Sequence, residues 1–210
     1  LAPIAALLAL LAGAFVPLAP NVVIGGQSGP LHLFGNADAG VFMALALLWL
    51  TRGISSLSRR HGQSQYAAIR YAAGVALGRS LPILLLVLSI LVMSSTISSY
   101  TRISFQMSEL IDTQRGWNGM RWIAYLQPVA LLLWFSCTTS GESDPQTVTM
   151  IPGRLSTLNY DLLTGALFFG GWQGPFVQQL PWLGLIYSAL KVYMLAFVRT
   201  WIAASLPRDP

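Results

Sequence analysis

Long apolar runs alternate with short polar stretches along the whole chain, and this alternation is the strongest structural signal in the sequence. Several runs approach the ~20 consecutive residues that a helix needs to cross the hydrocarbon core of a membrane. The pattern predicts an all-α, polytopic transmembrane bundle of about six spans, which forms a single domain over residues 1–210. The predicted segments A to F cover, in chain order, about residues 1–23, 39–57, 66–98, 122–139, 155–172 and 180–206.

The stretches between these segments are rich in glycine or in polar residues. Residues 25–35 form a glycine-rich loop with almost no charge, and residues 99–119 form the most polar loop. Within the polar loop, residues 105–111 predict a short amphipathic helix at the membrane interface. Segment C is long for one span, so we expect it to tilt, to kink at Pro82 or to protrude.

Charged residues fall inside several of the predicted spans. A charge at mid-membrane costs about 2.5–3.5 kcal/mol on insertion scales, so each such residue is a functional candidate. Basic side chains that snorkel or pair inside a bundle would fit the same pattern. Asp161 and Lys191 lie on consecutive helices, and the sequence leaves open whether they pair. The candidates for a proton path or charge pair are Asp161, Lys191 and Arg199, and the candidate intramembrane basic residues of segment C are Arg70 and Arg79.

The composition supports a membrane protein and argues against several other classes of protein. Of the 210 residues, 54% are hydrophobic and 9% are charged, whereas average proteins carry about 25% charged residues. The net charge of +5 does not indicate nucleic-acid binding, because the arginines are scattered at predicted loop and helix ends. The single cysteine, Cys137, excludes an internal disulfide and a cysteine-cluster metal site. His32 and His61 fall in different loops, so we predict no metal site.

Basic residues in the short loops predict the orientation of the bundle. They favour placing the loops between segments B and C and between D and E, together with the C-terminal end, on the cytoplasmic or matrix side. The residues on that side are Arg59, Arg60, Arg154 and Arg208, whereas Arg102, Arg115 and Arg121 fall on the other side, partly balanced by Glu109 and Asp112.

The C-terminal stretch carries a family resemblance. The turn Phe-Gly-Gly-Trp at residues 169–172 precedes a helix that carries Lys191 and ends at Pro-Arg. This stretch resembles the quinone-chamber membrane subunit of respiratory complex I, the NADH dehydrogenase subunit 1 family. That family has a Phe-Leu-Gly-Gly-Trp turn, and its next helix opens near a lysine and ends in Arg-Ala-x-x-Pro-Arg. The matching residues are Gly170, Gly171, Trp172, Lys191, Pro207 and Arg208.

The chain also departs from the family pattern at positions that would carry charge. The helix arginine of the family falls at Ala203 here, and Arg199 lies four residues earlier, on the same helix face. A family glutamate falls at Pro82, and no Pro-Phe-Asp follows segment D. Glu142 stands where the first glutamate of that loop is expected, which makes it a further candidate for the proton path.

The resemblance implies a membrane-arm core subunit of a proton-translocating NADH:ubiquinone oxidoreductase, at the junction with the quinone-binding peripheral arm. It also implies a multi-pass protein of an energy-transducing membrane, either the mitochondrial inner membrane or the bacterial plasma membrane. The chain itself would hold no redox cofactor, and quinone would bind at its interface with partner subunits. Its partners would be other membrane-arm and peripheral-arm subunits and membrane lipid.

Two alternatives remain open from the sequence. The chain could be a structural paralogue in a related membrane complex that has lost its chamber and proton path. It could also be a small-solute transporter whose intramembrane basic residues, Arg70, Arg79, Lys191 and Arg199, bind anions. The absence of inverted repeats in the sequence weighs against the transporter.

Overall fold

The structure, a computed structural model, describes residues 2–24, 27–31, 40–58, 65–78, 80–97, 105–115, 121–139 and 150–205. Helices dominate these ranges, and the predicted all-α membrane bundle is confirmed. The elements in chain order are α1 (Ala2–Ala14), β1 (Ala19–Ile24), β2 (Gln27–Leu31), α2 (Gly40–Ser58), α3 (Gln65–Gly78), α4 (Ser80–Ile97), α5 (Met107–Thr113), α6 (Ile123–Leu126), α7 (Pro128–Thr139), α8 (Met150–Phe168) and α9 (Leu183–Ser205).

Segment A differs from its prediction, because its second half is a strand and not a helix. The helix α1 ends at Ala14, and β1 pairs with β2 as an antiparallel hairpin. Pro17 and Pro20 explain the end of the helix, since each lacks a backbone N–H and disfavours helical geometry in the residue before it. The predicted glycine-rich loop at 25–35 therefore contains a strand, and α1 is only about 20 Å long.

Segment D is divided at a proline, and segment C contains Pro82 as the third residue of α4. Ser80 of α4 donates a hydrogen bond to the carbonyl of Leu77 of α3 at 2.6 Å, which links the two helices. The expectation that segment C tilts, kinks at Pro82 or protrudes stays a prediction. Gln127 leaves the helical region before Pro128, with φ −133° and ψ 64°, as residues before proline commonly do.

Helix α8 lies at the centre of the bundle and packs against α1, α2, α5, α6, α7 and α9. Its buried face carries Tyr160, Leu163 and Phe168. The Trp134 indole of α7 donates to the Thr164 hydroxyl at 2.8 Å, and this hydroxyl donates to the carbonyl of Tyr160 at 2.6 Å. The indole and the hydroxyl that meet at this contact therefore both have partners, as a low-dielectric interior requires.

The outward faces of several helices are strongly apolar. Leu85 on α4, Leu132 on α7, and Phe197 and Trp201 on α9 are all exposed. Three segments of the described chain are long and apolar enough to cross a membrane: Gly40–Leu57, Tyr66–Ser95 and Leu183–Ile202. Ala2–Ala14 and Pro128–Thr138 are shorter apolar helices. These faces suit lipid or partner helices, while the number of six spans stays a prediction.

Candidate functional site

The turn after α8 has the backbone geometry that its two glycines permit. Gly170 and Gly171 adopt φ values of 65° and 47°, in the left-handed region that favours glycine. The N–H of Gly171 donates to the carbonyl of Gly165 at 2.8 Å, which closes the last turn of α8. A Cβ atom on Gly171 would lie 2.7 Å from Ile111 Cδ1, so α5 packs directly against the turn.

Lys191 binds this turn from α9. Its Nζ atom donates to the backbone carbonyls of Phe169, Gly171 and Gln173 at 2.8, 2.7 and 2.7 Å. The ring of Trp122 lies 5.0 Å from Nζ, within range of a cation–π interaction. All three ammonium hydrogens are thus accepted by carbonyls near the negative end of the α8 dipole. The charge of Lys191 therefore holds the turn and does not face a carboxylate.

Asp161 pairs with Arg199 and not with Lys191. Arg199 Nη2 donates to Asp161 Oδ1 at 2.6 Å, and the two side chains are 7% and 1% exposed. The Arg199 guanidinium carbon also lies 5.6 Å from the centre of the Phe135 ring. Arg199 Nε and Nη1 are buried and have no hydrogen-bond partner among the described residues. The pair joins α8 to α9, and the guanidinium uses one of its donors to do so.

The two basic residues of α9 occupy separate levels of the bundle. Lys191 and Arg199 are two helical turns apart, which is about 12 Å along the axis. Within the described residues, Asp161 is the one buried carboxylate, whereas Glu109 and Asp112 on α5 are exposed. The described part of the chain thus holds one buried ion pair and no row of carboxylates.

Of the other predicted site residues, Arg70 is described, and it does not lie in this region. Arg70 lies exposed on α3, which packs against α2 and α4. Arg79, Glu142, Pro207 and Arg208 lie outside the described residues, as do His32 and His61. No group of three His, Cys, Asp or Glu side chains that could hold a metal ion occurs in the ranges that the structure describes.

Sequence reasoning missed Gln114, which joins three helices. Its Nε2 atom donates to the carbonyls of Ala166 and Leu167 at 3.2 and 3.0 Å, at the end of α8. Its Oε1 atom accepts from the N–H of Ile123 at 3.3 Å, at the start of α6. Gln114 is fully buried, but nothing in the polar loop at 99–119 distinguishes it from its exposed neighbours.

Asn159 on α8 was also missed. Its Nδ2 atom donates to the carbonyl of Ala9 at 2.6 Å, and its Oδ1 atom lies where a Cβ on Gly13 would be. The contact therefore depends on the close approach of α1 to α8. The sequence contains two signals for this contact, the asparagine in α8 and the many small residues in α1. It does not show that these two helices pack against each other.

A large cavity opens beside the Lys191-bound turn. It has a volume of about 910 Å³ and lies between α9, the segment 169–179, Arg115 and Trp122. Most of its wall is apolar, with contributions from Phe169, Val177 and Leu195. This volume is within the range of ordinary small-molecule sites.

A central buried helix, apolar outer faces and a basic side chain fixed on a glycine turn define a helical membrane protein. A protein family described as NADH dehydrogenase matches residues 147–209, which include α8, the turn and α9. The predicted resemblance to the NADH dehydrogenase subunit 1 family is therefore confirmed.

Three bacterial relatives show how far the similarity extends. The second H-type subunit of NADH-quinone oxidoreductase from Geobacter metallireducens is 26% identical over 219 residues, covering 93% of this chain and 56% of the relative. The first H-type subunit from Geobacter sulfurreducens is 26% identical over 254 residues, covering 99% and 66%. The H-type subunit from Paramagnetospirillum magneticum is 45% identical over 47 residues, covering 22% and 14%. The chain thus spans 56% to 66% of the length of the two Geobacter relatives.

Proposed function

We propose that the chain acts as a membrane-arm core subunit of an NADH:quinone oxidoreductase, at the junction with the quinone-binding peripheral arm. The observation that carries the proposal is the Lys191-bound turn at Gly170–Trp172, which lies inside the stretch matched by the family. The three bacterial relatives that share this similarity favour a bacterial plasma membrane as its location.

The role of the chain in this assembly is to bind partners and to shape an apolar wall. Its exposed apolar faces on α4, α7 and α9 suit partner helices and lipid. Electron transfer would use NADH and redox groups held by other subunits, and quinone would bind at an interface with them. This chain then contributes a rigid bundle, with α8 at its centre.

The proton path of such an assembly would need further carboxylates from partner chains, or it would be absent here. A relay needs several ionisable groups within hydrogen-bond or water reach, and desolvation penalises each isolated one. The described residues provide the single pair Asp161–Arg199. This pair suits helix packing better than proton transfer, because it joins α8 directly to α9 and no other carboxylate of the described residues is buried beside it.

The anion transporter receives little support from the geometry. Lys191 uses all three of its hydrogens on backbone carbonyls, and Arg199 already faces Asp161. An anion at either residue would have to displace an existing contact. Arg70 lies on a different helix, so it does not add a third charge to either position.

The test is deletion of this chain, followed by complementation with a tagged copy. If the proposal is correct, deletion abolishes NADH:quinone reductase activity of the membranes, and the tagged copy restores it. The tagged copy also co-purifies with membrane-arm and peripheral-arm subunits. A stable homo-oligomer without those subunits, in membranes whose NADH oxidation is unchanged by the deletion, would contradict the proposal.

A further inference from the structure

Three backbone carbonyls of the turn after α8 meet at one point. The carbonyl oxygens of Phe169, Gly171 and Gln173 lie 2.8, 2.7 and 2.7 Å from the Nζ atom of Lys191. These residues alternate along the chain, and Gly170 and Gly171 have left-handed backbones there. Proteins use such groups of carbonyl oxygens to replace the hydration shell of a monovalent cation. The turn therefore has the set of acceptors that a cation site needs.

Two further groups make this point favourable for a positive charge. The turn follows the last residue of α8, where the helix dipole places partial negative charge. The ring of Trp122 lies 5.0 Å from the Nζ atom of Lys191 and adds the attraction of an aromatic face. Within the described residues Asp161 pairs with Arg199 instead, so the attraction for a cation comes from backbone dipoles and a ring.

Contacts that do not involve Lys191 hold the backbone of the turn. The N–H of Gly171 donates to the carbonyl of Gly165 at 2.8 Å. The N–H of Gln173 donates to the carbonyl of Gly170 at the same distance. The carbonyls would therefore keep facing one point if the lysine side chain were removed, although their mutual repulsion would loosen the turn. A site that the backbone preorganises binds a free ligand without a large ordering cost.

A small cation can reach these carbonyls from the cavity beside the turn. Phe169, Gln173 and Lys191 line this cavity, whose volume is about 910 Å³. In the wild type the side chain of Lys191 extends from α9 to the carbonyls, so its own ammonium group fills the site. Shortening that side chain to alanine opens a passage from the cavity to the carbonyls, whereas methionine leaves an apolar chain in the passage.

We propose that the turn is a binding site for a primary ammonium ion, which Lys191 occupies as a tethered ligand. A primary ammonium donates three hydrogens, which matches the three carbonyls. A quaternary ammonium has the charge but no hydrogen to donate. The wild type is therefore closed to free amines, and a variant with a short side chain at position 191 binds them. The proposal depends on the contacts of this turn alone, and it holds whether or not the chain belongs to an NADH:quinone oxidoreductase assembly.

The test is chemical rescue of Lys191→Ala in the protein purified in its native assembly. Propylammonium carries the atoms that the substitution removes, and propanol is its neutral counterpart. Lys191→Ala is expected to speed amide hydrogen exchange of residues 169–174 at least about 30-fold, through the loss of charge-assisted hydrogen bonds. Propylammonium at about ten times its dissociation constant should slow this exchange about tenfold, with a saturable dependence on concentration. Propanol and tetramethylammonium at the same concentration should leave the exchange fast.

Matched variants separate the site from general effects of a charged additive. Lys191→Met keeps the passage filled, so propylammonium should not slow its fast exchange. Arg70→Ala removes an exposed charge from α3 and keeps Lys191. In this variant and in the wild type, propylammonium should change exchange of the turn by less than about twofold, because no free site remains. Equal slowing by propylammonium and tetramethylammonium in Lys191→Ala, or no slowing by propylammonium, overturns the proposal.

A covalent version of the test uses Lys191→Cys in a Cys137→Ala background, and it also serves where Lys191→Ala does not assemble. Alkylation with bromoethylamine rebuilds a side chain of the length of lysine that ends in a primary ammonium. Alkylation with bromoethanol gives the neutral counterpart. Only the ammonium side chain is expected to restore slow exchange in the turn. Equal recovery with both reagents overturns the proposal, because filling the passage would then be sufficient.

Discussion

Arg199 of α9 donates from Nη2 to Oδ1 of Asp161 on α8 at 2.6 Å, and both side chains are almost fully buried. Neither residue falls at a position that the family pattern marks. The pair nevertheless joins the central helix to the last described one, inside a bundle whose outer faces are apolar. A buried ion pair adds little net stability compared with apolar packing, but removing one partner leaves an uncompensated charge.

Asp161→Asn is expected to destabilise the protein by about 3–5 kcal/mol, because Arg199 loses its counter-charge. The double variant Asp161→Leu with Arg199→Met removes both charges and is expected to recover most of the stability. Thermal unfolding of the purified assembly measures both effects. Glu109→Gln, at an exposed carboxylate, is the control and should stay within about 0.5 kcal/mol of wild type.

The same double variant also tests whether the pair moves protons. If the pair only packs α9 on α8, quinone reduction and proton pumping per assembled complex stay at the wild-type level in the double variant. Loss of pumping with normal quinone reduction would show that Asp161 belongs to a proton path, and the structural role argued for the pair would be wrong.

Lys191→Met is expected to destabilise the turn at Gly170–Trp172. The substitution removes three charge-assisted hydrogen bonds and leaves three carbonyls without their donor, at a cost of about 2–4 kcal/mol. Lys191→Arg should recover only part of this, because a planar guanidinium cannot direct its donors to three converging carbonyls.

Amide hydrogen exchange of residues 169–174 measures the effect of Lys191 locally. Faster exchange there in Lys191→Met is expected, with little change in α2. Arg70→Met, which removes an exposed charge from α3, serves as the control. Unchanged exchange in the turn would show that its backbone holds without the lysine.

Gly171→Ala is expected to destabilise the protein by about 2–4 kcal/mol. The left-handed φ of 47° disfavours a side chain, and the new Cβ would lie 2.7 Å from Ile111 Cδ1. Gly153→Ala in α8 is the matched control, since a Cβ there meets nothing within 4 Å. Gly153→Ala should stabilise the helix by up to about 1 kcal/mol. Thermal unfolding should therefore show a lower melting temperature for Gly171→Ala and a higher one for Gly153→Ala.

The sequence predicted the helices better than the contacts between them. Hydrophobic runs are local, so segments B and F agree with α2 and α9 to within a few residues. The partner of Lys191 depended on how α9 is rotated against α8, and a single sequence does not contain this rotation. Asp161 and Arg199 were both candidates, but only the packed bundle makes them neighbours.

Two other features of the structure were not predicted from the sequence, for different reasons. Pro17 and Pro20 end the first helix early, yet their effect was outweighed in the prediction by the apolar run around them. Gln114 is an ordinary polar residue of a polar loop, and its burial results from α5 packing under the end of α8. The turn at Gly170 and Gly171 was predictable, because it depends on backbone conformations that glycine alone adopts easily.

The last prediction concerns the orientation of the bundle, and the two ends of α9 allow it to be tested. Leu183–Ser205 is about 35 Å long, enough to cross the ~30 Å hydrocarbon core. Gln179 before it and Ser205 at its end are both exposed, so they should face opposite sides of the membrane. Ser56 is buried and Gln173 donates to Asp112, which makes both poor labelling sites.

Single cysteines at Gly62, Gln179 and Ser205 are therefore introduced in a Cys137→Ala background and labelled with an impermeant maleimide. The arginines of the loop between segments B and C predict that Gly62 and Ser205 label from the cytoplasmic side and Gln179 from the opposite side. Labelling of Gln179 and Ser205 from one side would mean that α9 does not cross the membrane. If each of the three cysteines is labelled from the side opposite to the predicted one, the fold is kept and the orientation of the bundle is reversed.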